Sequence, residues 1–342
     1  MHSNAQQKSK KSSAADKKLE ALRAKQEKRK FKGASILDPS LDISLDEFTS
    51  FTAHLKFSKR VFALLGAGLS VSSGMATFRG SDRHWRGHEP SDLSDIGAFA
   101  TDPATVWWFF SHRMMKAQNA TPNPGHLALA KLAESNSQFF AVNQNIDGLC
   151  KRAGFPQSQI AQVHGDLFSV KCSKHQSSKN PCSYVADVTY PISQALTLPA
   201  YIDISDPNDP LPKLSHTDLP HCPKCNSLLR PNVVLFGEAT SLETTKRIYE
   251  FTSGGPIDLM LVVGTSAVVL PAAMYIPIAR NTGARIAFFN LEESDEEAGR
   301  VWSVDWYFKG DAAVTVAELL KGVVGTVRGT KLAINHASKI EA

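Results

Sequence analysis

The chain has 342 residues, 42% of them hydrophobic, five cysteines and a formal net charge of +5. That length can bury a sizeable core, and so few cysteines exclude a disulfide framework. Residues 1–33 hold eleven Lys/Arg against three acids, so the tail carries +8 and the remainder about −3; this excludes direct nucleic-acid binding by the body, which has no basic face for a phosphate backbone.

The tail reads as a basic, disordered or solvated-helical arm. Mitochondrial presequences are Arg-rich and acid-poor, whereas this tail prefers Lys and includes Asp16, Glu20 and Glu27, so nucleus or cytoplasm is the favoured compartment, with the mitochondrion as the alternative. No run approaches the roughly 18 apolar residues of a membrane span, and no secretory signal is visible. The expectation is a soluble, intracellular protein.

Ser44-Leu45-Asp46-Glu47 has the form of a capping box, and Leu45, Phe48, Phe51 and Leu55 then recur on one helical face. The strand-like "RVFALL" stops at Gly66-Ala67-Gly68. A dehydrogenase loop reads G-x-G-x-x-G; here the third glycine is Gly74, too late for that fingerprint. Residues 79–128 carry the helical "PATVWWFFSHRMMKAQ" and no convincing strand. The strand "FFAV" leads into Asn143-Gln144-Asn145-Ile146-Asp147-Gly148, whose amides and carboxylate suit a ribose or a carboxamide, and Val163-His164-Gly165-Asp166 places a histidine where it could transfer a proton near neutral pH. The runs "VVLF", "LMLVVG", "RIAFFN" and "DWYFKG" and the helical "AAVTVAELLKGV" follow. Continuous apolar strands separated by helices predict a doubly wound α/β fold: a parallel Rossmann-like sheet with a smaller zinc-binding and helical insertion domain.

Residues 167–232 hold four of the five cysteines. Cys222-Pro223-Lys224-Cys225 is one half of a tetrahedral zinc knuckle. Cys172 and Cys182 are the favoured other half because strand-like "CSYVADVTYPI" restarts at Cys182, with His175 in "CSKH" as the alternative ligand. A four-thiolate site is closed, hence structural.

In this order, GAG…TFRG, NQNID, HGD, two cysteine pairs, FGE, GTS and a late GD, the chain resembles the sirtuins, the NAD-dependent protein lysine deacylases, from about residue 45 to 325. The resemblance implies a catalytic domain over residues 34–330, with Rossmann-like parts at about 44–78, 129–166 and 233–330, insertions at 79–128 and 167–232, and a second tail at 331–342. It implies that Gly66, Ala67, Gly68 and Ser70 approach the NAD pyrophosphate and that Phe78 and Arg79 cover the nicotinamide-ribose. Gln144, Asn145 and Asp147 would orient ribose and carboxamide, with Asn145 and Asp147 counted among the catalytic groups. Gly264, Thr265 and Ser266 would bind phosphate or ribose, Asn290 the adenosine ribose, and Asp311 with Ala312 the adenine end. His164 would be the general base for a ribose hydroxyl, and an acyl-lysine peptide would pair as a strand near Val234, Phe236, Gly237 and Glu238. The four-cysteine zinc site of the family matches Cys172, Cys182, Cys222 and Cys225, with a stretched first pair.

Residues 76–114 most resemble the class III sirtuins, which remove succinyl, malonyl and glutaryl groups with a tyrosine and, three residues on, an arginine. Arg113 stands at the arginine position; Phe110, at the tyrosine position, lacks the hydroxyl. Deacetylation without dicarboxylic preference is the alternative. A nicotinamide oxidoreductase is disfavoured by the glycine spacing, and a catalytically silent zinc-stabilised binding protein by intact His164 and NQNID.

Overall fold

The computed structural model describes residues 41–77, 84–175, 181–199, 201–292 and 301–327. The basic tail, Phe78, Arg79 and the second tail lie outside them, so the expectations placed there stay untested. Ser44 and Glu47 cap helix α1 (Leu45–Phe57) reciprocally: the Glu47 N–H donates to Ser44 Oγ (3.2 Å) and the Ser44 N–H to the Glu47 carboxylate (3.1 Å). Phe48, Phe51 and Leu55 are buried, but Leu45 is 61% exposed. A helical side chain lies over the turn before its own Cα, and Leu45 has no such turn.

Nine strands form among the described residues: β1 (Val61–Leu65), β2 (Phe139–Asn143), β3 (Ile160–Gln162), β4 (Gly165–Cys172), β5 (Val185–Asp187), β6 (Leu229–Val233), β7 (Leu259–Val263), β8 (Arg285–Asn290) and β9 (Trp306–Lys309). Six build a parallel sheet in the order β3-β2-β1-β7-β8-β9. Its central runs VFALL, FFAVN and LMLVV are buried at every position, as strands covered on both faces must be. On one face Phe62, Leu64, Val142, Val262 and Phe288 form an apolar layer; on the other, Phe51 of α1 meets Phe289, Trp306 and Phe308 edge-on at 5.1–5.9 Å.

A separate antiparallel sheet, β5-β4-β6, carries the cysteines. Here the sequence reading needs correction. "VVLF" was expected as a strand of the parallel sheet, but the strand lies upstream, at Leu229–Val233, and pairs with β4 in the small sheet. An apolar run of four fits either sheet; the β4 partner is what decides. Between β1 and β2 run short helices α2 (Pro90–Leu93) and α3 (Ile96–Thr101), then α4 (Pro103–Asn119) and α5 (Pro124–Ser135). Helix α5 packs against α9 (Ala312–Val324) and β2. Helix α4 and the small sheet share one core containing Trp107, Phe109, Phe110, Val170, Cys172 and Leu229, and Trp107 Nε1 donates to the Leu229 carbonyl (3.2 Å). The two insertions therefore fold as one body. Helices α6 (Leu149–Arg152), α7 (Leu242–Ser253) and α8 (Tyr275–Asn281) complete the described helices; none is long and apolar enough to cross a membrane.

Candidate active site and metal centre

Strand order reverses between β1 and β7, and the loops leaving these strands meet at their carboxyl ends, where a doubly wound sheet binds its ligand. The Gly66 N–H donates to Val263 O (2.9 Å) and the Gly68 N–H to Gly264 O (2.8 Å). The seam leaves no room for side chains. A Cβ on Gly68 would stand 2.7 Å from Gly264 Cα, and one on Gly66 2.5 Å from Thr265 Cβ. A 3-10 helix, Ala67–Ser73, follows, and Gly74 ends it in the left-handed region at φ 87. The late third glycine is thus a terminator, not the packing glycine of a dehydrogenase loop.

Around the seam the expected side chains join one network. Asn145 Nδ2 donates to Gly66 O (2.8 Å) and approaches Ser70 Oγ (3.3 Å), while Ser70 Oγ donates to Asp147 Oδ2 (2.7 Å). Gln144 Nε2 reaches Thr265 Oγ1 (3.1 Å), and Asn290 Nδ2 donates to Thr265 O (3.1 Å). Ser266 follows Thr265 and is half-buried. Asp311 caps α9, accepting the Ala313 N–H (2.9 Å) and the Ser72 hydroxyl; Ala312 beside it is buried. Backbone laid bare by glycine and ringed by amide and hydroxyl groups fits a dinucleotide, whose pyrophosphate needs close backbone approach and whose riboses need hydrogen-bond partners.

Three residues of this site escaped the sequence reading. His126 is fully buried, and burial pushes its imidazole down to about 3, so it is neutral. Its Nδ1 accepts the Asn123 N–H (3.4 Å), which leaves the proton on Nε2, 3.3 Å from Ser70 Oγ. A directed chain therefore runs from Asn123 through His126 and Ser70 to Asp147. Burial raises Asp147 above the usual carboxylate range, against the Ser70 hydroxyl and the Leu149 N–H (2.8 Å). Arg152 donates to the carbonyls of Ala117 (2.6 Å), Ala120 (2.7 Å) and Asp147 (3.1 Å), tying the end of α4 to this segment. "NPGH", an N-cap followed by Pro and a histidine at the third helical position, was the signal that could have marked Asn123 and His126.

His164 Nδ1 lies 2.8 Å from the Gln144 carbonyl. A carbonyl only accepts, so Nδ1 carries the proton and Nε2 keeps a basic lone pair. Burial holds this imidazole below the ordinary histidine range, with the Gln144 contact opposing, so the ring is neutral at pH 7. On its other side the His164 carbonyl accepts the Val234 N–H (2.9 Å). Next to it Gly165 has φ 85, and a Cβ there would lie 2.0 Å from Asn232 O.

Phe236, expected to pair with a peptide, already spends both backbone groups: its N–H donates to Ser94 O (2.7 Å) and its carbonyl accepts the Ile96 N–H (3.1 Å). A substrate strand could instead meet Gly237 and the carbonyls of Val234 and Glu238, whose N–H groups already donate to His164 O and Leu235 O. The Glu238 side chain is itself buried, paired with Arg230 and Lys171. Phe110 is 1% exposed and packs edge-on against Phe109 at 5.0 Å; Arg113, one turn on, lies over the Phe109 ring (5.4 Å) with Nη2 3.5 Å from the Ala76 carbonyl. Burial lowers its guanidinium to about 10, opposed by the Asp147 charge, so it remains a cation at neutral pH.

The four sulfurs of Cys172, Cys182, Cys222 and Cys225 lie within 4.8 Å of one another, with Cys172 to Cys225 at 3.4 Å and Cys182 to Cys222 at 3.7 Å. Zinc–sulfur bonds of about 2.3 Å require sulfur–sulfur edges of roughly 3.8 Å in a tetrahedron. The residues fit zinc. His175 Nδ1 instead faces the Cys182 carbonyl (3.2 Å), which resolves the choice of ligand in favour of Cys182. Cys150, the fifth cysteine, is buried elsewhere.

A family profile described as "Sir2 family" matches residues 66–271. A Candida albicans "NAD-dependent protein deacylase" is 36% identical over 303 residues, covering 82% of this chain and 99% of that protein. The Danio rerio "NAD-dependent protein deacylase sirtuin-5, mitochondrial" is 35% identical over 260 residues, covering 74% and 81%. Among solved structures, a Sir2 homologue in complex with NAD superposes with a TM-score of 0.63 at 34% identity, over 81% of this chain and 93% of that one. A Sir2 structure bound to a propionylated peptide gives 0.60 at 25% identity, over 80% and 97%. Likeness of this length, spanning both the glycine seam and the thiol cluster, places the chain in the Sir2 family, as an NAD-dependent protein deacylase that uses NAD and zinc.

Proposed function

We propose that this deacylase removes dicarboxylic acyl groups, succinyl, malonyl and glutaryl, less exclusively than an enzyme with a tyrosine at position 110. The observation that carries the reading is Arg113. Helix α4 seats this half-buried cation against Phe109 beside Ala76, where the chain enters the segment at 78–83, and within electrostatic reach of Asp147. A planar guanidinium can meet a terminal carboxylate with two donors. Phe110, buried against Phe109, offers no hydroxyl to a carboxylate, which favours tolerance of neutral chains such as acetyl as the second reading.

NAD, when bound, supplies the ADP-ribose that accepts the acyl group and the nicotinamide that leaves. Gly66, Gly68 and Gly264 give the backbone access its pyrophosphate needs; Gln144, Asn145 and Asp147 hold the loops that orient it. His164 is the base: its neutral Nε2 takes a proton from a ribose hydroxyl while Gln144 fixes the tautomer. The acyl-lysine peptide lies along Val234 to Glu238, on the far side of His164. The cysteine site holds zinc and keeps the small sheet folded.

Turnover of acetyl-, succinyl-, malonyl- and glutaryl-lysine peptides, followed as nicotinamide release by mass spectrometry, tests the reading. Arg113→Met should collapse the succinyl-to-acetyl ratio of kcat/KM by about tenfold or more, the loss expected when a charged hydrogen bond goes, and Phe110→Tyr should raise it. An unchanged ratio in Arg113→Met would leave plain deacetylation as the activity.

A further inference from the structure

Among the buried charges that the reaction does not use, one group lies beside the proposed groove. Glu238 lies between two cations: Arg230, in direct contact, and Lys171 Nζ at 3.7 Å. All three side chains are at most 7% exposed. Their hydrogen bonds converge on the turn that follows β6. Glu238 Oε2 accepts the Leu235 N–H (2.9 Å), and Arg230 Nη1 donates to the Val233 carbonyl (3.2 Å). Buried charges are costly and are kept ionised by pairing, so a cluster like this has few geometries in which it can rest. It fixes two backbone points of the segment 233–238, from either side of Val234.

The cations come from two of the three strands of the metal-bearing sheet. Lys171 precedes Cys172 on β4, and Arg230 pairs with Lys171 across the ladder. Strand β4 begins at Gly165, beside the base, and β6 ends at Val233, where the groove starts.

We propose that Glu238 is the positioning residue of the peptide groove: its carboxylate, clamped by Arg230 and Lys171, sets the backbone of Val234 to Gly237 to receive an extended acyl-lysine peptide. This rests on the groove assigned above. The Glu238 carboxylate touches neither substrate; it acts through the Leu235 amide and the turn.

Two measurements on the full-length, zinc-loaded protein separate this inference from the groove itself. In the wild type, amide hydrogen exchange at Gly237, whose neighbours Val234, Leu235, Phe236 and Glu238 already donate their N–H groups within the protein, is compared with and without an acyl-lysine peptide. Loss of exchange on adding peptide supports the groove; unchanged exchange overturns it, and the inference with it. Kinetics of Glu238→Gln, which keeps the shape and an acceptor for Leu235 but leaves the two cations uncompensated, then tests the inference. The expected result is a rise of about tenfold in the KM for peptide, a part of what breaking a buried pair can cost, with NAD affinity and zinc content unchanged. Lys171→Met, which removes the more distant cation, should give a smaller rise of about threefold in the same direction. A peptide KM within about twofold of wild type in both variants overturns the proposal. So does a loss of NAD affinity equal to the loss for peptide, which marks a general structural role.

Discussion

His164 shows how one ring is prepared by its backbone neighbours. The Gln144 carbonyl selects the Nδ1–H tautomer, and burial holds the imidazole below the ordinary histidine range. A base works when neutral, and a depressed pKa keeps it neutral further into acid. The acid limb of kcat/KM should therefore fall below pH 6.5, the unperturbed histidine value of about 6.5 being the upper bound. His164→Ala should lose about 10²–10⁴-fold in turnover while NAD still binds, measurable by calorimetry and single-turnover assay. A limb at or above pH 6.5 would argue against the neutral-base assignment. His164 was legible from sequence because its segment is local: HGD and NQNID announce themselves within a few residues. His126, Arg152 and Glu238 were not, because the partners that give them meaning stand elsewhere. Ser70 lies 56 residues from His126, and Ala117 lies 35 from Arg152. Glu238 was read for its backbone, and only its contacts with Arg230 and Lys171 reveal what its side chain does.

Among the elements, the loops after β1 and β7 make the sharpest contrast between two glycines. Gly68 faces backbone, with any Cβ 2.7 Å from Gly264 Cα, and backbone cannot swing aside. Gly74 meets nothing within 4 Å, and its requirement is only its φ of 87. Gly68→Ala should therefore part the two loops and weaken NAD binding by about tenfold or more. Gly74→Ala should lower the melting temperature, at a strain of about 1–3 kcal/mol, and leave NAD affinity within about twofold. Isothermal titration beside thermal melts distinguishes them, and equal NAD losses would mean the seam is not the nucleotide's resting place. The strands of the parallel sheet were readable because burial on both faces leaves an unbroken apolar run. The small sheet was not, because its strands carry weak local patterns: β5 has three residues, β6 reads LRPNV with a proline inside it, and the β4–β6 ladder shifts register between Asp166 and Val170.

At the scale of the molecule, the thiol site and helix α4 share one core, whereas the sheet has apolar layers of its own. Stripping zinc should then reach the acyl end first. Chelation is expected to cut turnover of acyl-lysine peptide by more than about tenfold while NAD affinity changes by less than about threefold; losses of equal size would mean that the metal supports the whole fold. The position of His164 carries a further consequence. Its ring leans on the carbonyl of Gln144, on the nucleotide side, and its own carbonyl holds the Val234 amide, on the peptide side. On the proposed function a single residue is thus tied to both ligand segments, one through its ring and one through its backbone, and a shift of the Gln144 carbonyl would re-aim its lone pair.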